Sequence, residues 1–141
     1  MGLILKKYYF SGKEYVICDL SAEGCSFNAA QIHLLCDRRQ GIGADLFLLA
    51  LANGAKSHLQ AYTTKGIITD PDATALRVYS RYLQEAGWPV SQVEVVKALG
   101  DRAVLECAAV AKEARVIEVR VTASFCRRLE ALSDQCESCV G

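Results

Sequence analysis

The segment from Asp70 to Gly87 constrains the chain most, because it is amphipathic and bounded at both ends. Asp70 can cap a helix N-terminus, and Pro71 suits the first helical position. Apolar side chains then recur at Ala75, Val78, Tyr79, Tyr82, Leu83 and Ala86, before Gly87 and Pro89 stop the helix. Most of the remaining patterned segments are β-rich. The expected fold is therefore α+β, a mostly antiparallel curved sheet wrapped around a central helix over about Pro71–Ala86.

Leu3 to Phe10 and Glu14 to Asp19 carry β-branched and aromatic residues, and Ser11-Gly12-Lys13 joins them as a hairpin turn. Leu46 to Ala52 is continuously apolar, a fully buried strand or a short core helix. The turn-forming stretch Asn53-Gly54-Ala55-Lys56-Ser57 before the segment His58-Leu59-Gln60-Ala61-Tyr62-Thr63-Thr64 favours a second hairpin. Three later segments, QVEVVKAL, RAVLECAAVA and ARVIEVRVT, predict an antiparallel meander that continues the sheet. A second helix is expected within SFNAAQIHLLCDRRQG: Ser26 or Asn28 would cap it, Arg38 and Arg39 would complement its dipole, and Gly41 would turn left-handed just past its end. Residues 1–122 read as one lobe. Residues 123–141 read as a C-terminal tail, with one short helix and a frayed end.

A chain of 141 residues can bury a single core without a metal or disulfide. Its 16 basic and 16 acidic residues cancel, which removes the electrostatic case for nucleic acid or an anionic membrane as partner and leaves small molecules or protein surfaces. The opening residues lack the pattern of a signal peptide, and no apolar run approaches the roughly 18 residues of a membrane span, so a cytoplasmic location is expected. Seven cysteines, an odd number scattered through core-like segments, suit reduced thiols. Cys36 and Cys107 read as small buried hydrophobes.

Gly41-Ile42-Gly43 lacks the third glycine, the strand-before and helix-after context of a dinucleotide fingerprint, and the lysine of a phosphate loop. Cys136 and Cys139 have metal-ligand spacing with Cys126 nearby, but no second pair completes a zinc site, so neither metal nor cofactor is expected. His33 and His58, the only imidazoles, stand beside no known nucleophile motif, and His33 reads as a satisfied helix residue. Asp72, in the first turn of the central helix, sits where the dipole favours a carboxylate and where a ligand could also be met.

Three stretches carry a family resemblance. CDRRQGIGADLFLLA resembles the Asp-Arg-His/Arg-x-Gly-Ile-Gly-x-Asp stretch of the diaminopimelate epimerase family. KYYFSGKEYVICD is similar to that family's opening Lys-Met-His-Gly-x-Gly-Asn-Asp-Phe-x-x-x-Asp, and LQAYTTKGIITDPDATALRVYSRYL to its Arg-x-Phe-Asn-x-Asp-Gly segment with the helix that follows. The resemblance runs from Leu5 to about Val121 and implies the N-terminal lobe of a two-lobed, cofactor-independent amino-acid epimerase. In that family one thiol per lobe removes or returns the substrate α-proton. Laid residue on residue, the first-lobe catalytic cysteine falls at Asp72 and the Gly-Asn after it at Ala73 and Thr74. The opening substrate-holding asparagine falls at Lys13, the later asparagine at Thr63 and a glutamine at Leu46. Matching positions that build the lobe are kept: Asp37, Arg38, Gly41, Ile42, Gly43, Asp45, Gly66, Arg77, Arg81 and Leu83.

Three functions follow as expectations. The first is a lobe without the two-thiol reaction, a dimeric binding or vestigial module for a small amino-acid-like ligand, with two copies of the chain standing for the family's two lobes. The second is an isomerase with altered acid–base chemistry at Asp72 and a carboxylate anchor at Lys13 or Lys65, since the phenazine-biosynthesis isomerase of the same fold works with a carboxylate. The third is an epimerase or racemase subunit whose second lobe and thiol come from another chain.

Overall fold

The computed structural model describes residues 3–19, 27–53, 56–87, 92–106 and 110–140. β1 (Leu3–Phe10) and β2 (Lys13–Asp19) form the expected hairpin. α1 (Ala29–Cys36) leads to β3 (Leu46–Asn53), which runs parallel to β2 and antiparallel to β4 (Lys56–Tyr62). A short β5 (Ile68–Thr69) folds back on β4 before α2 (Ala73–Ala86). β6 (Gln92–Val96) joins β4 in parallel, and β7 (Arg102–Glu106) joins β6 antiparallel. β8 (Arg115–Val121) lies antiparallel to β1, and α3 (Ala123–Val140) follows it. The product is a mixed eight-stranded sheet in the order β7-β6-β4-β3-β2-β1-β8, with β5 beside β4. With its helices it is an α+β fold.

The central strands are buried on both faces, and their alternation assigns each face its helix. Tyr15, Ile17, Leu48 and Ala50 join Ala75, Val78, Tyr79, Tyr82 and Leu83 of α2 in one core cluster. Val16, Cys18, Phe47 and Leu49 join Ile32 and Leu35 of α1 and Leu129 of α3 in another. The first cluster draws on β1, β2, β3, β4 and β6, with Leu105 of β7 and Val116 of β8 packed against it. Neighbouring strands lie about 4.8 Å apart and a helix is about 10 Å wide, so a flat sheet could not bring so many strands to one helix. The sheet must curl around α2.

The expected meander is corrected. β7 and β8 do not pair; they are the two opposite edges of the sheet. The described part of the connection between them, residues 110–114, packs along α2, where Ala111 and Ala114 are buried in its core. Arg81 Nη1 donates to the carbonyls of Ala111 and Ala114, each at 2.9 Å, and of Lys112 at 3.2 Å, while the Ala111 amide donates to the Arg77 carbonyl. Sequential β segments pair by default, but here the small side chains of the connection let it close over the helix.

One helix start and one helix end also differ in detail. Asn28 caps α1 in a reciprocal capping box with Gln31; Ser26 lies outside the described residues. α1 ends at Cys36 rather than running to Arg38 and Arg39, because the Asp37 side chain accepts the amides of Arg39 and Gln40 and draws the backbone into a turn. Asp72, not Asp70, caps α2, and Asp70 instead accepts the Ala98 amide at 2.8 Å. At the other end Gly87 ends α2 as expected, in a left-handed conformation, while Pro89 lies outside the described residues, as do Gly54, Ala55 and Cys107. The last helix is 18 residues long, and its Leu129 and Leu132 carbonyls accept bonds from Gln31 and Asn28 of α1.

Gly41 is not left-handed; Gly43, with φ 83°, is. The need for glycine at position 41 is close approach, since a Cβ there would lie 1.9 Å from the Leu34 carbonyl oxygen. Gly41→Ala is expected to destabilise the fold by about 2 kcal/mol or more. Urea unfolding would read this as a lower midpoint at constant slope; an unchanged midpoint would show that the turn can move aside.

Candidate functional site

The start of β2, a central strand, and the start of α2 meet at one end of the curved sheet. Period-two alternation places Lys13 and Tyr15 on the α2 face. The Tyr15 hydroxyl lies 2.9 Å from Thr74 Oγ1, and Lys13 Nζ lies 3.6 Å from Asp72 Oδ2. Asp72 Oδ1 accepts the Ala75 amide at 2.8 Å and the Thr74 hydroxyl at 2.7 Å. Burial acts to raise the Asp72 pKa, but the Ala75 amide, the Thr74 hydroxyl and the Lys13 ammonium outweigh it and hold the carboxyl below its ordinary value. Asp72 is thus an ionised helix cap with its side chain 48% exposed. Tyr15 carries no family signal in the sequence; the alternation of β2 was its only trace.

Lys13 also lines an open recess of about 400 Å³ at the tip of the first hairpin, with Tyr9, Ser11, Glu14, Glu113 and Arg115. The Arg115 guanidinium stacks 4.9 Å from the centre of the Tyr9 ring. Asp72 is not among the lining residues.

The remaining aligned positions do not all converge there. Ala73 is the exposed first residue of α2, directly after the cap. Leu46, partly buried, packs into the α2 core. Thr63 is used inside its own turn: its hydroxyl accepts the amides of Lys65 and Ile67 at 3.3 Å, and its amide donates to the Ile67 carbonyl. That turn docks on α1. His33 Nδ1 lies 2.9 Å from the Thr64 carbonyl oxygen, and a Cβ on Gly66 would lie 2.5 Å from Ala29 Cα. Lys65 is exposed on the same turn.

The Gly41-Ile42-Gly43 turn is a folding device. Its amides close the end of α1: Gly41 donates to the Asp37 carbonyl, Ile42 and Gly43 to that of Leu35, and Ala44 to that of Cys36. No donor of that run is left for a phosphate. Asp45 then binds back to β2, where its carboxylate accepts the Glu14 amide and its amide donates to the Glu14 carbonyl, each at 2.8 Å. Arg38 bridges Asp45 and Glu14 at 3.0 Å, and the nearly buried Lys7 ammonium pairs with Glu14 at 2.7 Å. Hydrogen bonding to Lys7 and Arg38 pulls the Glu14 pKa down.

The described thiols sit away from Asp72. Cys18 and Cys36 are buried and Cys126 is partly buried, all on the face of the sheet that carries α1 and α3. Burial pushes the Cys36 thiol up to about 11, the opposite of what a proton-abstracting thiolate needs. The side chains of Cys136 and Cys139 lie outside the described residues, and Cys107 does so entirely. Among the described residues no group of three or more His, Cys, Asp or Glu side chains is arranged to hold a metal ion. His58 contacts Glu94 at 3.1 Å. No described helix is long and apolar enough to cross a membrane.

No protein-family model and no curated protein sequence matches the chain. Among solved structures it is similar to a phenazine biosynthesis protein PhzF family member from Enterococcus faecalis, at 10% sequence identity and a TM-score of 0.48. The match covers 75% of this chain and 40% of that one, so the chain spans less than half of that structure's length.

Two outcomes are expected. Asp72→Ala should cost about 1 kcal/mol, whereas Asp72→Asn, which keeps the cap and loses only the charge, should cost clearly less. Equal losses in the two variants would show that the charge, not the cap, matters. Asp72 and Glu14 have folded-state pKa values below their unfolded ones, so their stabilisation is fully present above about pH 4 and is lost as pH falls through the depressed values. The urea midpoint should hold from neutrality down to about pH 5 and drop below about pH 4; a midpoint constant to about pH 2 would contradict this.

Proposed function

We propose that the chain is a diaminopimelate-epimerase-like lobe that has lost the two-thiol reaction and serves as a non-catalytic binding module for a small amino-acid-like ligand. The observation that carries the loss of reaction is the state of Asp72. It occupies the aligned position of the family's first thiol, yet it is an ionised cap with a lowered pKa, and the described thiols lie on the other face of the sheet. A general base works best with a pKa near the working pH, and a carboxylate held below its ordinary value is a poor base for an α-proton. This also weighs against an isomerase with Asp72 as its acid–base group.

Binding is supported by the mixed charge around the hairpin tip. Lys13 and Arg115 can meet a carboxylate, and Glu113 can meet an ammonium, in an open recess of about 400 Å³. Of the altered positions Lys13 alone lines this recess, which fits a ligand held differently from the family's substrate.

Incubation with diaminopimelate and other amino acids in deuterated water tests the reading. No α-proton exchange above the enzyme-free blank is expected. Exchange that Asp72→Asn abolishes would overturn it in favour of an altered isomerase.

A further inference from the structure

We propose that the chain forms a two-fold dimer by antiparallel pairing of β8 with β8 of a second copy, centred on Val119. This inference stands apart from the loss of catalysis. β8 is a seven-residue edge strand whose only described strand partner is β1. An edge of this length presents a row of unpaired amides and carbonyls, and solitary folds blunt it with charged side chains, lysine above all, with proline or with a bulge. β8 has neither lysine nor proline, its charges (Arg115, Glu118 and Arg120) are of both signs and so need not repel a second copy, and its pairing with β1 runs without a bulge from Val121 to Arg115.

The sequence of this edge is self-complementary in one register. In antiparallel pairing about Val119, Glu118 of each copy stands opposite Arg120 of the other, and Ile117 stands opposite Val121. Directly opposed residues share a face, so the register separates chemistry cleanly. One face carries Ile117, Val119 and Val121 from both copies as a continuous aliphatic stripe. The other carries two symmetric Glu–Arg pairs. Moving the axis to Glu118 opposes like carboxylates, and moving it to Ile117 sets Arg115 against Val119; neither pairs the charges.

Within one copy the same groups are ready to be shared. Glu118 and Arg120 are only 3.6 Å apart in a loose pair, with side chains 51% and 79% exposed. Ile117 is 47% exposed, a large apolar side chain on a strand that ends a sheet. Beside the stripe, Val119 and Val121 line a groove of about 160 Å³ with Ile42 and Phe125, which offers further apolar surface to a second copy. β7, the opposite edge, is shorter, and its Arg102 already bonds to Glu94 within its own sheet.

Sedimentation of the full chain at tens of micromolar tests the interface. A dimer is expected. Either Glu118→Arg or Arg120→Glu should weaken it roughly tenfold or more, because each turns both attractive pairs into repulsions, and the double exchange should restore it. Val119→Cys should crosslink to itself on oxidation, since opposed residues have Cα atoms about 4.5–5.5 Å apart. Ile117→Cys should not, and the wild-type chain under the same oxidant is the control for native thiols. A monomeric wild type, or a dimer indifferent to both single reversals, would overturn the proposal.

Discussion

The enclosure of α2 depends on Arg81. Its Nη1 gathers the carbonyls of Ala111, Lys112 and Ala114, and its Nε binds the Glu85 carboxylate at 2.8 Å. Glu85 in turn accepts the hydroxyl of the fully buried Tyr8 on β1 at 2.7 Å. One guanidinium therefore links the central helix, the sheet and the connection that carries the chain from one sheet edge to the other. Without it, three backbone carbonyls, two of them on buried alanines, would lose their charged donor, a heavier loss than that of a neutral hydrogen bond.

Enclosure decides what the start of α2 can do. The helix is gripped along its length by an apolar face, and its first turn emerges beside the start of β2. There the backbone requires a cap, and Asp72 supplies it with the help of Thr74 and Tyr15. The donors that satisfy the cap also stabilise the charged form of the carboxylate, so the geometry that makes Asp72 a good cap makes it a weak base. The glycine-rich turn after α1 follows the same logic. Its amides close the helix end and Asp45 fastens the chain to Glu14, which leaves a rigid junction and no anion cradle.

Where local chemistry alone decides, the sequence was readable. The first hairpin follows from its strand residues and a Ser-Gly turn, and the central helix from its apolar spacing and Gly87. The apolar run from Leu46 became a strand because it lies between β2 and β4 with a helix-bearing core on each face. Choices between equivalent local groups were not readable. Asp70 and Asp72 are both competent caps, and only the distant Ala98 amide, which takes Asp70, separates them. The position of β8 beside β1 depends on a crossover held by Arg81, a contact between residues thirty or more apart that no local pattern encodes. In the candidate site, Lys13, Asp72 and Thr74 do converge, while Thr63 turns away because its hydroxyl is needed to close its own turn.

The most direct measurement is the titration of the Asp72 side-chain carboxyl by carbon-13 NMR, with Asp72→Asn used for assignment. A pKa below that of an unstructured aspartate, with the group ionised throughout the neutral range, is the expected result for a helix cap. A value raised toward about 6–7, where a general acid–base group works best, would contradict a non-catalytic lobe.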